Sequence, residues 1–195
     1  HKHYINRYAF LFNEYIGNKY VYLPELSLRY TGQKTFQFDN SHKTIALYLG
    51  GENKEFRKYP DEYAVQLLRL LNRQGYNLLL IGDENDNIKH TQYAEEARID
   101  HLINLTARTT IEGFINTIAN VDLIITIDSS ALHIAAAVKT PFIALMGLST
   151  SPTSTILPKV PLGRILKIEN NLIREEDYIR NITPDLILKT ISELI

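Results

Sequence analysis

From Lys43 onward the sequence alternates short aliphatic runs with amphipathic segments, and this rhythm constrains the fold more than any other feature. The runs are TIALYLG at 44–50, NLLLIG at 77–82, HLINL at 101–105, DLIITID at 122–128, PFIALMG at 141–147 and RILKIE at 164–169. Between them, 61–74, about 85–98, 109–119 and 130–138 show helical patterning. A last helix is expected after Thr183-Pro184, where Thr183 suits the cap and Pro184 the first helical position. Strands that are aliphatic along their whole length must be covered on both faces. The pattern therefore predicts a doubly wound, Rossmann-like α/β sandwich with a parallel sheet. Residues 1–42 read differently. Tyr4, Tyr8, Leu11, Phe12 and Tyr15 fall at helical spacing with Gly17 as a stop, and a polar connector containing Pro24 and Gly32 follows. The expected division is a helix and connector over 1–42, then a sheet domain over 43–195.

Composition narrows the function classes. A hydrophobic fraction of 45% in 195 residues can build a core without disulfide or metal staples. With 21 Lys+Arg against 22 Asp+Glu there is no basic field, so a nucleic-acid partner is not expected. The chain has no cysteine, which removes thiolate metal and redox sites and fits a reducing cytoplasm. Its apolar runs fall short of the roughly 18 residues a transmembrane helix needs. It opens at His1 rather than Met, as a fragment or processed product would.

In a doubly wound sheet, ligands sit at the carboxyl ends of the strands. The residues just after each run are therefore the candidates: Gly50-Gly51-Glu52, Gly82-Asp83-Glu84, Thr106 to Thr110, Asp128-Ser129-Ser130 and Gly147 to Thr150. A helix starting at Asp128-Ser129-Ser130 would aim free N–H groups and its positive dipole end at an anion, a phosphate or diphosphate. Asp128 would repel phosphate and suits a sugar hydroxyl instead. His133, four residues after Ser129, would share that helical face. A capped helix start beside a packed histidine explains the same residues equally well.

The Gly50-Gly51 pair permits close backbone approach, although a plain turn is the simpler reading. Neither G-x-G-x-x-G nor a phosphate-loop motif occurs. Arg57 and Lys58 are cations that could neutralise a diphosphate, or simply solvated loop charges. Glu84 and Asp86 could hold sugar hydroxyls or cap the following helix, and Thr109-Thr110 looks first like a cap. The remaining histidines, His1, His3, His42, His90 and His101, lack metal-ligand spacing, and no G-x-S-x-G elbow is present.

The block DSSALHIAAAVKTPFIALMG at 128–147 resembles the pattern D-[ST]-G-x-x-H-[LI]-A-A-A-x-x-x-P-x-x-x-[LI]-[YF]-G of glycosyltransferase family nine, the ADP-heptose:lipopolysaccharide heptosyltransferases. Asp128, Ser129, His133, Ala135, Ala136, Pro141 and Gly147 fit in register. Arg57 or Lys58 takes the place of the family's donor-binding lysine, and Tyr59 stands where tryptophan is common. The stretch from His101 to Asp128 resembles the family's L-x-G-x-[TS] segment without its usual glycine. Ser130 replaces another family glycine, and Met146 a common aromatic.

The resemblance implies the C-terminal, donor-binding half of a GT-B transferase, metal-independent, inverting and without a cofactor. It implies a nucleotide-diphosphate sugar such as ADP-heptose and a glycan or lipid-linked acceptor such as lipopolysaccharide core. It also implies a cytoplasmic location, peripheral at the inner membrane, and an N-terminal half that carries the catalytic acidic residue; no catalytic residue is expected in this chain. The donor-binding residues it implies are Asp128, Ser129, Ser130, His133 and Arg57 or Lys58; Gly50, Gly51, Asp86 and Thr109 join them as candidates from their places after the strands. The alternatives from other classes are a non-catalytic or degenerate nucleotide- or sugar-binding module, and a different sugar-nucleotide α/β enzyme.

Overall fold

A computed structural model describes residues 13–17, 27–50, 58–147, 161–167 and 175–195. Six strands form one parallel sheet: β1 (Thr44–Tyr48), β2 (Asn77–Leu80), β3 (Leu102–Asn104), β4 (Leu123–Ile127), β5 (Phe142–Leu145) and β6 (Gly163–Leu166). Their order is β3-β2-β1-β4-β5-β6. The chain builds outward from β1 to β3, returns to the centre, and builds outward again from β4 to β6. Every residue of β1, β2, β4 and β5 is buried, whereas the edge strands β3 and β6 are partly open. Aliphatic strands with no polar alternation thus occupy the middle, as two covered faces require.

The helices are α1 (Asp61–Arg73), α2 (Asn87–Ala97), α3 (Ile111–Ala119), α4 (Ser130–Val138) and α5 (Pro184–Ile191). In α1, Ala64, Val65, Leu67, Leu68 and Leu71 are buried, the three-and-four spacing of an apolar stripe. The fully buried Leu47, Leu68, Leu79, Ile125 and Ile143 belong to one continuous core. Truncating such a residue to alanine costs about 2–5 kcal/mol.

Several boundaries differ from the sequence reading. The β1 and β2 ladders stop at Tyr48 and Leu80, yet Leu49 and Ile81 remain buried beyond them. Burial outlasts pairing here, so the aliphatic runs overshoot the strands. The helix expected from about 85 splits into a 3₁₀ turn at Glu84–Asp86 followed by α2, which ends at Arg98 in a left-handed conformation. The helix expected from 109 starts at Ile111 because Thr110 caps it, its hydroxyl accepting from the Gly113 N–H. Thr183 caps α5 and Pro184 opens it, as expected.

Of the N-terminal region, residues 13–16 are helical and Gly17 leaves the helix at φ +72°. Residues 27–42 form no strand. Polar contacts lay this connector along α3. The Gly32 N–H donates to Asn116 Oδ1 at 3.1 Å, Asn116 Nδ2 donates to Thr31 Oγ1 at 2.8 Å, and the Thr35 and Thr117 hydroxyls meet at 2.6 Å.

Candidate functional site

The strand order reverses between β1 and β4, and in open α/β sheets the carboxyl ends at such a reversal flank the ligand crevice. Tyr48 is the register partner of Thr126. Gly50 follows the end of β1 by two residues and Asp128 follows β4 directly, so both stand at the carboxyl ends of neighbouring strands. Two of the stretches singled out by sequence therefore lie at the carboxyl ends of adjacent strands.

On the β4 side, Ser129 takes an extended conformation and caps α4, its Oγ accepting from the Ala131 N–H at 3.2 Å. The same Oγ lies 2.9 Å from Thr126 Oγ1, and Thr126 is fully buried. The Ser129 hydroxyl is thus engaged by the protein, and the anion-attracting feature left at this end is the first helical turn itself. Ser130 and His133 are exposed on that helix, and Asp128 is half-buried at its entrance.

On the β1 side, the glycines have a specific reason to lack side chains. A Cβ on Gly50 would stand 1.6 Å from Asp86 Oδ1, and one on Gly82 would stand 2.7 Å from Asp86 Oδ2. Asp86 is buried, and its carboxylate accepts from the Asp83 N–H while the Asp83 side chain accepts from the Asn85 N–H. Asp86 therefore lies between the ends of β1 and β2 in a capping arrangement. Glu84 is exposed one turn away.

Gly51 and Arg57 lie outside the described residues. Lys58 is half-buried and close enough to Asp61 for its charge to act on that carboxyl. Burial pushes Asp61 upward, but hydrogen bonds from Lys89 and Tyr93, with the charges of Lys89 and Lys58, outweigh it and leave the carboxyl below its ordinary value. The Tyr59 N–H reaches the Leu49 carbonyl at 3.4 Å, so the chain that leaves β1 returns beside its carboxyl end.

The turn after β3, a strand-end candidate in sequence, holds a pairing that the sequence does not reveal. His90 on α2 is fully buried, and its Nδ1 lies 2.7 Å from the hydroxyl of Thr106, also fully buried. Burial, opposed by the charge of Asp83, pushes the imidazole down to about 4. It is neutral at pH 7, and its Nε2 has no hydrogen-bond partner. Ala107 follows at φ +59°, held by its N–H to the Gly82 carbonyl at 3.1 Å. The missing glycine of the L-x-G-x-[TS] stretch was the signal for this turn: alanine adopts the conformation that the glycine would supply without strain. Thr109, half-buried, precedes the Thr110 cap and does not itself cap α3. Among the described residues, no three of His, Cys, Asp and Glu gather to hold a metal ion, and no helix is long and apolar enough to cross a membrane.

The strand order and the placement of the crevice define a Rossmann-like α/β protein. The model of glycosyltransferase family 9 (heptosyltransferase) matches residues 1–176, and the chain belongs to that family. It is 31% identical over 158 residues to lipooligosaccharide heptosyltransferase 2 of Haemophilus influenzae, a match covering 75% of this chain and 45% of the relative. Lipopolysaccharide heptosyltransferase 2 of Salmonella typhimurium is 25% identical over 172 residues, covering 82% and 49%. The chain spans about half the length of the curated relatives it matches. Among solved structures, E. coli ADP-heptose LPS heptosyltransferase II shares the fold with a TM-score of 0.69 at 24% identity, over 78% of this chain and 46% of that one.

Proposed function

We propose that this chain is the donor-binding half of an inverting glycosyltransferase that transfers heptose from ADP-heptose to a glycan acceptor such as lipopolysaccharide core. The observation that carries this reading is the Ser129-capped start of α4 at the carboxyl end of β4, next to the carboxyl end of β1 where the strand order reverses, in a family 9 chain. The donor's name comes from the relatives, one of which is an ADP-heptose LPS heptosyltransferase.

The chemistry is coherent with those parts. The bond from the sugar's anomeric carbon to the diphosphate breaks as an acceptor oxygen bonds to that carbon. The departing diphosphate carries the developing negative charge. A helix N-terminus and one cation aimed at that charge favour the transition state without a metal. In this reading the α4 N-terminus and Ser130 face the diphosphate, with Arg57 or Lys58 supplying the cation. Asp128 takes sugar hydroxyls, His133 donates nearby, and Asp86 and Thr109 line the β2 and β3 side. The acceptor's proton goes to a base in the other half of the protein.

A thermal-shift panel of ADP-, UDP-, GDP- and CMP-linked sugars tests the proposal. One nucleotide class should raise the melting temperature, because a ligand that binds only the folded state stabilises it. Absence of any shift would reject the donor site and favour a degenerate module.

A further inference from the structure

Tyr59 is fully buried, yet its hydroxyl donates a 2.8 Å hydrogen bond to the carbonyl of Ile182, a residue also without exposure. Those residues are 123 positions apart in sequence. Ile182 immediately precedes the Thr183 cap of α5, so the bond joins the start of the last helix to the chain returning beside β1. Three further contacts fix the same place. The Tyr59 N–H meets the Leu49 carbonyl, the Tyr63 ring lies 6.0 Å away and tilted, and Arg180 Nη1 reaches Glu62 Oε1 at 3.2 Å. Pro60 then leads straight into α1. Lys58, the described cation of the candidate site, is one residue upstream of this anchor, with Arg57 before it in sequence.

We infer that Tyr59 is a positioning residue for the donor site: its buried bond to Ile182 sets where the preceding cation stands relative to the end of β1. The inference rests on the proposed donor site and deepens it. A cation on a flexible stem gives a diphosphate little unless its backbone is fixed, since ordering it on binding costs affinity. The ring fills the core whether or not the hydroxyl is present. The hydroxyl carries the hydrogen bond from Tyr59 to the residue before the α5 cap, and burial, with Tyr63 and Asp185 nearby, raises the phenol so that it stays protonated and donating.

The experiment compares Tyr59→Phe with Thr140→Val. Both remove one hydroxyl that donates 2.8 Å to a buried carbonyl, but Thr140 serves Ile118 just before β5, at the opposite end of the sheet from the crevice. ADP and UDP affinities are measured by calorimetry over a range of salt concentrations. The expected result is that Tyr59→Phe weakens binding about three- to ten-fold and makes it less salt-dependent, because a displaced cation no longer screens with the ligand. Thr140→Val should lose similar thermal stability with affinity unchanged. Equal affinity in Tyr59→Phe and the unsubstituted chain overturns the positioning role while leaving the donor site intact. An unsubstituted chain that binds neither nucleotide overturns the ADP-linked donor reading, and the inference with it.

Discussion

Replacing Ala107 with glycine should make the protein more stable, which runs against the usual effect of adding a glycine. Ala107 sits at φ +59°, and its side chain is exposed, so the substitution removes no packing. Its backbone is held in place by bonds from its own N–H to Gly82 and from the Arg108 N–H to Leu105, at 3.1 and 3.0 Å, and the variant keeps both. An L-residue in the left-handed region is strained by about 1–2 kcal/mol, which glycine avoids. Glycine also loosens the unfolded chain, which takes back about 0.4–1 kcal/mol. The net gain is about 0.5–1 kcal/mol, a rise in melting temperature of about 1–4 °C for a domain of this size. Urea unfolding should move its midpoint upward with an unchanged slope. Ala94→Gly, inside α2, is the control and should lose about 1 kcal/mol. If Ala107→Gly melts at the same or a lower temperature, the turn is not strained and the argument from handedness fails.

Three further perturbations test other parts of the structure. The folded-state value of about 4 for His90 lies below its ordinary 6.5, so its contribution to stability is complete above pH 6.5 and is lost as pH falls toward 4. That loss is on the order of 3 kcal/mol, and unfolding free energies measured across this window should be flatter in His90→Gln. Gly50→Ala drives a methyl group into Asp86 and should cost about 1–3 kcal/mol in urea unfolding; an unchanged midpoint would mean Asp86 moves aside freely. Asp128→Ala should weaken binding of a nucleotide sugar more than of the bare nucleotide in calorimetry, and equal losses would remove Asp128 from the sugar.

The fold was legible because its evidence is periodic. Aliphatic runs separated by helical stripes imply a covered parallel sheet whichever residue fills each place, and β1, β2, β4 and β5 fall inside the expected runs. The position of Gly50 and Asp128 at strand ends was legible for a related reason: each closes an aliphatic run, and the strand order makes β1 and β4 neighbours. What escaped depends on contacts between distant side chains. Nothing in the local sequence reveals that His90 faces Thr106, that Ser129 shares its hydroxyl with Thr126, or that Asp86 is why Gly50 and Gly82 lack side chains. Tyr59 read as a substitute for tryptophan. Its importance comes from the Ile182 carbonyl, which no pattern around residue 59 could disclose.

The adjacency of β1 and β4 also governs when the crevice can come into being. The Thr44 N–H donates to the Asp122 carboxylate at 2.7 Å across a separation of 78 residues, and β2 and β3 are made in between. A nascent chain on the ribosome can zip β1, β2 and β3 together early, but its inner edge stays bare until residues 123–127 have emerged. A donor bound at the proposed site would have nothing to grip before that moment. Co-translational rescue by ligand would therefore act only on chains elongated past Ser130, and shorter arrested chains should ignore it.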